Sequence, residues 1–385
     1  MPELKIAIFT GNYNHIQDGV SLTLNRLVSY LTDHGVPVMV FGPTVENPPM
    51  DHEGDFVAVP SVSALGRPEY RISTGLPKAL QKRLKDFDPC LIHIATPDIL
   101  GYKALKFGRS NGIPVVASYH THFTSYLKYY KLGILEPLIW QYLRWFYRHC
   151  RQLYVPSSSM KEELNGHGIV HGLEIWARGV DTSLFNPDKR SLQWRRSAGF
   201  EDHDVVVTFV SRLVWEKDLR TFSATLNKCI PENSKIKIMV VGDGPERDEF
   251  HSLIPQALFT GYLSGESLAR AYASSDIFFF PSDTETFGNV TLEAMACGLP
   301  VVVADATGSK SFVDEKVNGF IGRPQNIGQF SGYIDQLARD TSMRENMGKA
   351  SRQKALDYEW DTVMEKLLKL YNQVSGEQGR KNTPM

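Results

Sequence analysis

The chain has 385 residues, which is enough for two domains of ordinary size or for one large domain. Its formal net charge of −1 at pH 7 argues against a dedicated nucleic-acid-binding protein. Its hydrophobic content of 42% is ordinary for a soluble globular enzyme, and no apolar run approaches the ~20 residues of a membrane-spanning helix. The four cysteines lack the spacing of a metal site, and the first predicted strand begins almost at the N-terminus. We therefore expect no signal peptide and a reducing, cytoplasmic location.

The first half of the chain alternates short apolar strands with helices. Strands are predicted at 4–10, 37–41, 91–95, 114–119 and 152–155, and helices at 20–34, at about 98–111 and from residue 158 onward. Glycines at the ends of the first two helices, Gly35 and Gly112, support these boundaries. Regular alternation of this kind predicts an α/β domain with a doubly wound parallel sheet.

The same pattern restarts after a turn-rich stretch at 177–187. Strands are predicted at 205–211, 236–241, 276–281 and 301–304, with helices at 219–229, at 246–253, from about Gly288 to Cys297 and at about 360–371. We therefore predict two Rossmann-like domains at 1–180 and 181–358, then a C-terminal helix at 359–374. The polar tail at 375–385 is predicted to be disordered.

The most informative segment, 282–305, places two carboxylates around a predicted helix start. Glu285 precedes that start and Glu293 lies inside the helix, about 7–8 Å beyond Gly288 at ~1.5 Å per residue. The free N–H groups at a helix start bind anions, so a carboxylate lies on each side of a potential phosphate site. A nucleotide sugar has the matching layout of sugar hydroxyls, two phosphates and ribose hydroxyls. Two solvated glutamates in an ordinary βαβ unit are the simpler alternative.

Two cations lie in the loop that follows the first strand of the second half. Arg212 and Lys217 suit a pyrophosphate, because Arg offers two parallel donors and Lys a compact charge. Isolated surface cations are the alternative interpretation. The next strand ends in a glycine-rich turn, in which Gly242 and Gly244 either admit a ligand close to the backbone or form a tight turn.

These motifs resemble those of family 4 of the retaining glycosyltransferases, which have the GT-B fold. Glu285 and Glu293 within FGNVTLEAMACGLPVV resemble the family's E-x7-E signature, and SRLVWEK at 211–217 resembles its R-x4-K motif. The linker at 177–187 is also similar, with Arg178 where Asn is common, so the resemblance extends over most of the chain. It implies that the two domains face a cleft and that the C-terminal helix crosses back to the first domain.

The resemblance also implies roles in binding the nucleotide-sugar donor. Arg212 and Lys217 would bind the diphosphate, Glu285 the sugar and Glu293 the ribose. Further donor-binding positions are Gly19, Gly242, Gly244, Phe287, Gly288, Asn289 and Val290, together with Gly261, Tyr262 and Leu263, whose backbone would hold the base.

In the first domain, the resemblance points to a histidine and to the loop before the first helix. His120 matches a family histidine that faces the donor sugar, and it is expected to orient that sugar. Asp18 stands where the family has the first of two glycines, which is a departure and could direct a carboxylate toward the acceptor. The remaining acceptor-side candidates are Tyr119, His122 and Tyr126.

No separate base or nucleophile is evident, so the catalytic candidates are His120, Arg212, Lys217 and Glu285. The resembled enzymes retain anomeric configuration, and many are thought to let the departing phosphate accept the acceptor's proton. Catalysis would then rest on charge stabilisation and positioning. No DxD-type site is visible, so we expect no metal and no other cofactor.

The segment 123–149 combines nine Tyr, Trp or Phe residues with Lys128, Lys131, Arg144 and Arg148. This composition suits a membrane interface, although a buried helix pair is an equal alternative. The segment resembles HTxFxxYxxYxxLG sequences of GDP-mannose-dependent mannosyltransferases and sulfolipid synthases, which glycosylate lipids. We therefore expect a lipid or glycan acceptor and peripheral contact with the inner face of the cytoplasmic membrane.

The sequence thus predicts a retaining hexosyltransferase, with GDP-mannose as the first choice of donor and a UDP-hexose as the next. Transfer to a small soluble acceptor is an alternative, as is a sugar-nucleotide epimerase of the same fold. A non-catalytic nucleotide-sugar binder is a third class. The sequence does not fix the sugar, the base, the acceptor or the oligomeric state.

Overall fold

The computed structural model describes residues 4–16, 18–64, 67–119, 136–285, 287–306 and 308–381. The chain divides into two compact units, one formed by Met1–Ala177 with Val363–Met385 and the other by Arg178–Thr362. The predicted domain boundaries, after residues 180 and 358, lie within a few residues of these divisions.

The first unit is built on a parallel sheet of seven strands. Its elements in chain order are β1 (Ile6–Phe9), α1 (Gly19–Asp33), β2 (Val38–Gly42), β3 (Asp55–Ala58), β4 (Ser61–Ala64), β5 (Arg67–Ser73), α2 (Lys78–Phe87), β6 (Leu91–Ile94), α3 (Ile99–Ser110), β7 (Val115–Ser118), α4 (Glu136–Tyr147), β8 (Leu153–Val155), α5 (Ser158–Gly166) and β9 (Leu173–Ile175). The strand order is β3-β2-β1-β6-β7-β8-β9, and β4 and β5 form a separate antiparallel pair.

The second unit repeats this plan with a parallel sheet of six strands. Its elements are α6 (Leu192–Ser197), β10 (Val205–Val210), α7 (Leu219–Cys229), β11 (Ile236–Val241), α8 (Arg247–Leu253), β12 (Leu258–Gly261), α9 (Gly265–Ala273), β13 (Ile277–Phe280), α10 (Asn289–Ala296), β14 (Val301–Ala304), β15 (Gly319–Gly322), α11 (Ile327–Arg339), α12 (Thr341–Leu356) and α13 (Trp360–Lys381). The strand order is β12-β11-β10-β13-β14-β15.

Both sheets consist of short apolar strands because helices cover them on both faces. Every residue of β1, β6, β7, β10, β13 and β14 is buried. In each sheet the strand order reverses direction beside the first strand, between β1 and β6 and between β10 and β13. Ligands of open α/β sheets bind outside the carboxyl ends of the strands at such a point. The predicted fold class, α/β with two doubly wound parallel sheets, is confirmed.

The last helix, α13, begins in the second unit, and from Val363 its residues belong to the first unit. Tyr371 is fully buried, and its hydroxyl lies 2.6 Å from Nδ1 of His93 on β6. Nε2 of the same ring lies 3.0 Å from the Ser118 hydroxyl of β7. Burial lowers the pKa of His93 to about 3, so the ring is neutral and carries a proton on one of its two nitrogens.

The prediction of a disordered tail from residue 375 is wrong for the part that the structure describes. Helix α13 continues to Lys381, because Val374 is buried and the Ser375 hydroxyl donates to the carbonyl of Tyr371. Residues 382–385 lie outside the described part of the chain.

Candidate functional site

Two loops of the second unit lie on either side of the point where its strand order reverses. The loop after β10 carries Arg212 and Lys217, and the loop after β13 carries Glu285. The hydroxyl of Thr284 donates to the carbonyl of Glu216 at 2.9 Å, which joins the two loops. The sheet topology thus brings together residues that are about 70 positions apart in sequence.

Lys217 and Glu285 form an ion pair between these loops. Their side chains are only 17% and 19% exposed, so water screens the pair less than it screens a surface pair. The sequence predicted that both residues bind the same donor at different points, and it did not predict their contact. Arg212 is exposed, and no ion pair within the described ranges involves its side chain.

The start of α10 is an uncapped helix N-terminus beside Glu285. Gly288 has φ +95°, and the helix has no side-chain cap there. The N–H groups of Thr291 and Leu292 both donate to the carbonyl of Gly288, and Asn289 and Val290 precede them at the exposed end. A Cβ on Gly288 would lie 2.7 Å from Oγ and 2.9 Å from Cα of Ser309. An uncapped helix start therefore lies at the position where the sequence predicted one, and Phe287 next to it is buried.

The turn after β11 needs glycine because another loop crosses it closely. A Cβ on Gly242 would lie 1.9 Å from the carbonyl oxygen of Ser211, and one on Gly244 would lie 2.3 Å from that of Leu213. The N–H of Leu213 donates to the carbonyl of Asp243 at 3.0 Å. These glycines therefore let the turn support the loop that carries Arg212. This contact was not anticipated from the sequence, where ligand approach and a tight turn were the two interpretations.

Glu293 lies one turn inside α10, and its side chain is half-buried. Burial raises the pKa of its carboxyl to about 7, and the hydrogen bond from the Tyr272 hydroxyl, at 3.2 Å, offsets this only in part. Near neutral pH the carboxyl therefore exists in both protonation states. Tyr272 on α9 was missed, because a Tyr in an apolar helix gives no sign of the carboxyl it will contact.

The segment predicted to hold the base ends strand β12. Gly261 has φ +75°, and its carbonyl accepts the N–H of Gly242 at 2.9 Å. Tyr262 is 76% exposed and Leu263 is half-buried. An exposed aromatic ring at this edge of the sheet is available for stacking on a planar base.

In the first unit, Asp18 caps helix α1. Its side chain accepts the N–H groups of Val20 and Ser21 at 2.9 and 2.8 Å, and the side-chain amide of Asn12 donates to it at 2.8 Å. The helix follows at Gly19, which is exposed. The departure from glycine at position 18 thus has a structural explanation as an N-cap.

A second carboxyl at this edge of the first sheet was not anticipated. Asp98 caps α3 through the N–H of Gly101, and burial raises its pKa. The Thr96 hydroxyl accepts the N–H of Gly11 at 2.9 Å, and a Cβ on Gly11 would lie 3.0 Å from the Asp98 carboxylate. The loops after β1 and β6 are therefore closely packed. An Asp before a predicted helix indicates an N-cap, but the sequence does not show that the loop after β1 packs against it.

Of the remaining first-unit candidates, Tyr119 is buried directly after β7. His120, His122 and Tyr126 lie outside the described residues, as does the part of the aromatic and basic segment that precedes residue 136. The rest of that segment forms α4, which buries Trp140, Leu143, Phe146 and Tyr147. Across the described ranges, no group of three or more His, Cys, Asp or Glu could hold a metal ion, and no helix could span a membrane.

Two family models match successive parts of the chain. "Glycosyltransferase Family 4" matches residues 17–184, and "Glycosyl transferases group 1" matches residues 191–354. A GDP-mannose-dependent alpha-mannosyltransferase of Corynebacterium glutamicum is 30% identical over 96% of this chain and 89% of its own length. A protein of the same description from Mycolicibacterium smegmatis is 30% identical over 97% of this chain and 98% of its own.

Other similarities extend the comparison. Sulfoquinovosyl transferase SQD2 of Arabidopsis thaliana is 33% identical over 77% of this chain and 59% of its own length. Among solved structures, sucrose-phosphate synthase of Thermosynechococcus elongatus has a TM-score of 0.72 at 18% identity, over 97% of this chain and all of that one. Anabaena Alr3699/HepE in complex with UDP has a TM-score of 0.73 at 20% identity, over 96% of this chain and all of that one. These structural similarities bear on the fold alone.

Proposed function

The chain belongs to glycosyltransferase family 4, and on that premise we propose that it is a retaining hexosyltransferase. It would move a hexose from a nucleotide sugar to a hydroxyl group of a lipid or glycolipid. The observation that carries the proposal is the Lys217–Glu285 ion pair next to the uncapped start of α10. A donor would replace this pair, with its diphosphate on Lys217 and the helix start and its sugar hydroxyls on Glu285.

The proposed chemistry needs charge stabilisation rather than a protein base. The bond between the anomeric carbon and the diphosphate oxygen breaks, and the acceptor oxygen bonds to that carbon on the same face. The leaving phosphate takes the acceptor's proton. Arg212, Lys217 and the N–H groups after Gly288 would stabilise the charge that develops on the diphosphate. Glu285 and His120 would hold the sugar, and no metal would take part.

The choice of donor and acceptor rests on the relatives. Two of them are described as GDP-mannose-dependent, which favours GDP-mannose as the donor, with a UDP-hexose next. An alpha-monoglucosyldiacylglycerol synthase of Streptococcus pneumoniae is 25% identical over 82% of this chain and 74% of its own, and its description favours a lipid acceptor. The exposed Tyr262 and the backbone at Gly261 would meet the base, and Glu293 the ribose.

The direct test is incubation with a panel of GDP- and UDP-sugars, a lipid extract and a chelator. We expect transfer of a hexose to a lipid, with the donor's anomeric configuration kept in the product by NMR. An inverted product would contradict the mechanism, and loss of activity in the chelator would contradict metal independence. Epimerised donor, or binding without turnover, would identify one of the other two classes of protein.

Three variants test the assigned roles. Lys217→Met should lower kcat by about 10²–10³, which is typical for loss of one donor that stabilises developing charge. Glu285→Ala should mainly slow transfer, and Glu293→Ala should mainly raise the dissociation constant of the donor. Lys369→Met is the matched control, since it removes a Lys–Glu pair from the exposed side of α13. Unchanged kcat in Lys217→Met, or equal loss in the control, would refute the assignment.

A further inference from the structure

A cavity of about 390 Å³ opens between α3 and α4 in the first unit. It is lined by Tyr102, Leu105, Lys106, Arg109, Ser110 and Trp145. Helix α3 begins at the carboxyl edge of the sheet, after β6, and runs back toward the other edge before β7. Its last turns, which carry Lys106, Arg109 and Ser110 of the lining, therefore lie away from the loops that follow β1 and β6.

The two helices that line this cavity carry mostly positive charge. Helix α3 contains three cations, Lys103, Lys106 and Arg109, and no carboxylate. Helix α4 adds Arg144, and its only acidic residue is Glu136 in the first turn. Lys106 and Arg109 are exposed, and no ion pair with another described residue involves either of them. Two unpaired cations at one cavity, with the Ser110 hydroxyl, suit a phosphate group.

Aromatic and aliphatic side chains lie on the same two helices as these cations. Trp145 lies between Tyr102 and Tyr142, with ring centroids 5.9 and 6.1 Å away. Ile99 is 49% exposed and Leu138 is 62% exposed on the same two helices. Tyr and Trp are enriched where a protein meets the headgroup layer of a membrane, because one end of each ring system is polar and the rest is apolar. A soluble phosphate compound would contact the cations but not these apolar side chains.

We propose that the surface formed by α3 and α4 docks on a bilayer of anionic phospholipid, with a lipid phosphate in the cavity between Lys106 and Arg109. The proposal deepens the proposed function by naming the surface that brings the enzyme to a lipid acceptor. Only this link to a lipid acceptor rests on the proposed function. Charge complementarity and the exposed aromatic and aliphatic groups select an anionic bilayer as the partner.

Vesicle flotation of the full chain, without any donor, tests the proposal. The wild-type protein should float with vesicles of phosphatidylcholine and phosphatidylglycerol but not with phosphatidylcholine alone, and added salt should weaken binding. Lys106→Gln with Arg109→Gln should bind roughly 30-fold more weakly, as expected for two cations at an anionic surface. Lys235→Gln with Lys349→Gln removes two exposed cations from the second unit and should bind as the wild type does.

Each other outcome overturns the proposal. The proposal is wrong if the wild-type protein does not bind the vesicles or if the Lys106 and Arg109 variant binds them equally well. It is also wrong if the control variant loses as much vesicle binding as the Lys106 and Arg109 variant does. Titration with glycerol 3-phosphate separates the sources of phosphate, because tight binding of that compound without vesicle binding would mean a soluble ligand. Donor binding and sugar transfer to a soluble acceptor are measured on the same variants. A protein that transfers sugar but ignores vesicles would contradict the docking surface and leave the proposed function intact.

Discussion

Glu293 is a carboxyl group whose ionisation opposes folding. Its pKa rises from 4.5 to about 7 because burial disfavours the charged form. Between these two values the folded chain holds a proton that the unfolded chain has lost. The corresponding stability is fully present below about pH 4.5 and is lost as the pH rises through about 7.

Glu293→Gln should therefore stabilise the protein at about pH 8, by about 1–3 kcal/mol in the free energy of unfolding. Glutamine keeps the size of the side chain and an oxygen for the Tyr272 hydroxyl, and it cannot ionise. The gain should disappear at about pH 4, where the wild-type carboxyl is protonated in both states. Urea unfolding across this pH range is the measurement. Glu266→Gln, at an exposed glutamate, is the control, and parallel curves for Glu293→Gln and the wild type would mean that ionisation of Glu293 does not oppose folding.

Lys217 and Glu285 show how a site can hold its charges before a ligand arrives. Each would be costly to bury alone, and the pair lowers that cost. A bound diphosphate would compete with Glu285 for Lys217, so part of the donor's binding energy would be used to separate the pair. The sequence indicates both residues as ligands, but it cannot show their contact, which depends on the order of β10 and β13 in the sheet.

At the scale of elements, helix α10 depends on a glycine at its start. Gly288 combines φ +95° with a neighbour, Ser309, in the space a Cβ would occupy. Gly288→Ala should lower the free energy of unfolding by about 2–4 kcal/mol, since left-handed backbone costs roughly 1–2 kcal/mol and overpacking about 1–3. Donor affinity should fall with it, because the helix start would move.

Urea unfolding and donor titration would measure both effects. Gly332→Ala is the matched control, because this glycine lies within α11 and a Cβ there would meet nothing within 4 Å. It should stabilise the protein by about 0.4–1 kcal/mol, since alanine restricts the unfolded chain. Gly288→Ala with wild-type stability would mean that the helix start tolerates a side chain.

The buried strands were predictable to within two residues because strands covered on both faces are continuous apolar runs. Predictions at 205–211 and 301–304 correspond to β10 and β14. Strands β3, β4, β5, β9 and β12 were not predicted, because exposed and half-buried residues break any such run. Strand β15 is mostly buried and was also not predicted, because two of its four residues are glycines. The Gly242 position was recognised, but its reason was not, because the crossing loop is about 30 residues away in sequence.

At the scale of the molecule, the first unit is completed by the end of the chain. The Tyr371 hydroxyl on α13 is hydrogen-bonded to Nδ1 of His93, and this contact spans 278 positions of sequence. Both groups are buried and neutral, since burial lowers the pKa of His93 to about 3 and raises that of Tyr371 well above 10.0. The hydroxyl therefore fixes α13 against β6 through a bond that water does not replace.

Tyr371→Phe should lower the stability of the first unit by about 1–3 kcal/mol, because it leaves the buried Nδ1 of His93 without its hydrogen-bond partner. In calorimetry, the transition that contains the first unit should move to lower temperature, whether the two units unfold together or apart. Tyr333→Phe is the control in the second unit, since its hydroxyl meets the side chain of Gln329 on α11 and its ring keeps its stack on Phe320. If both variants shift their transitions equally, the buried hydrogen bond between Tyr371 and His93 adds nothing to stability. Apolar packing alone would then hold α13 to the first unit.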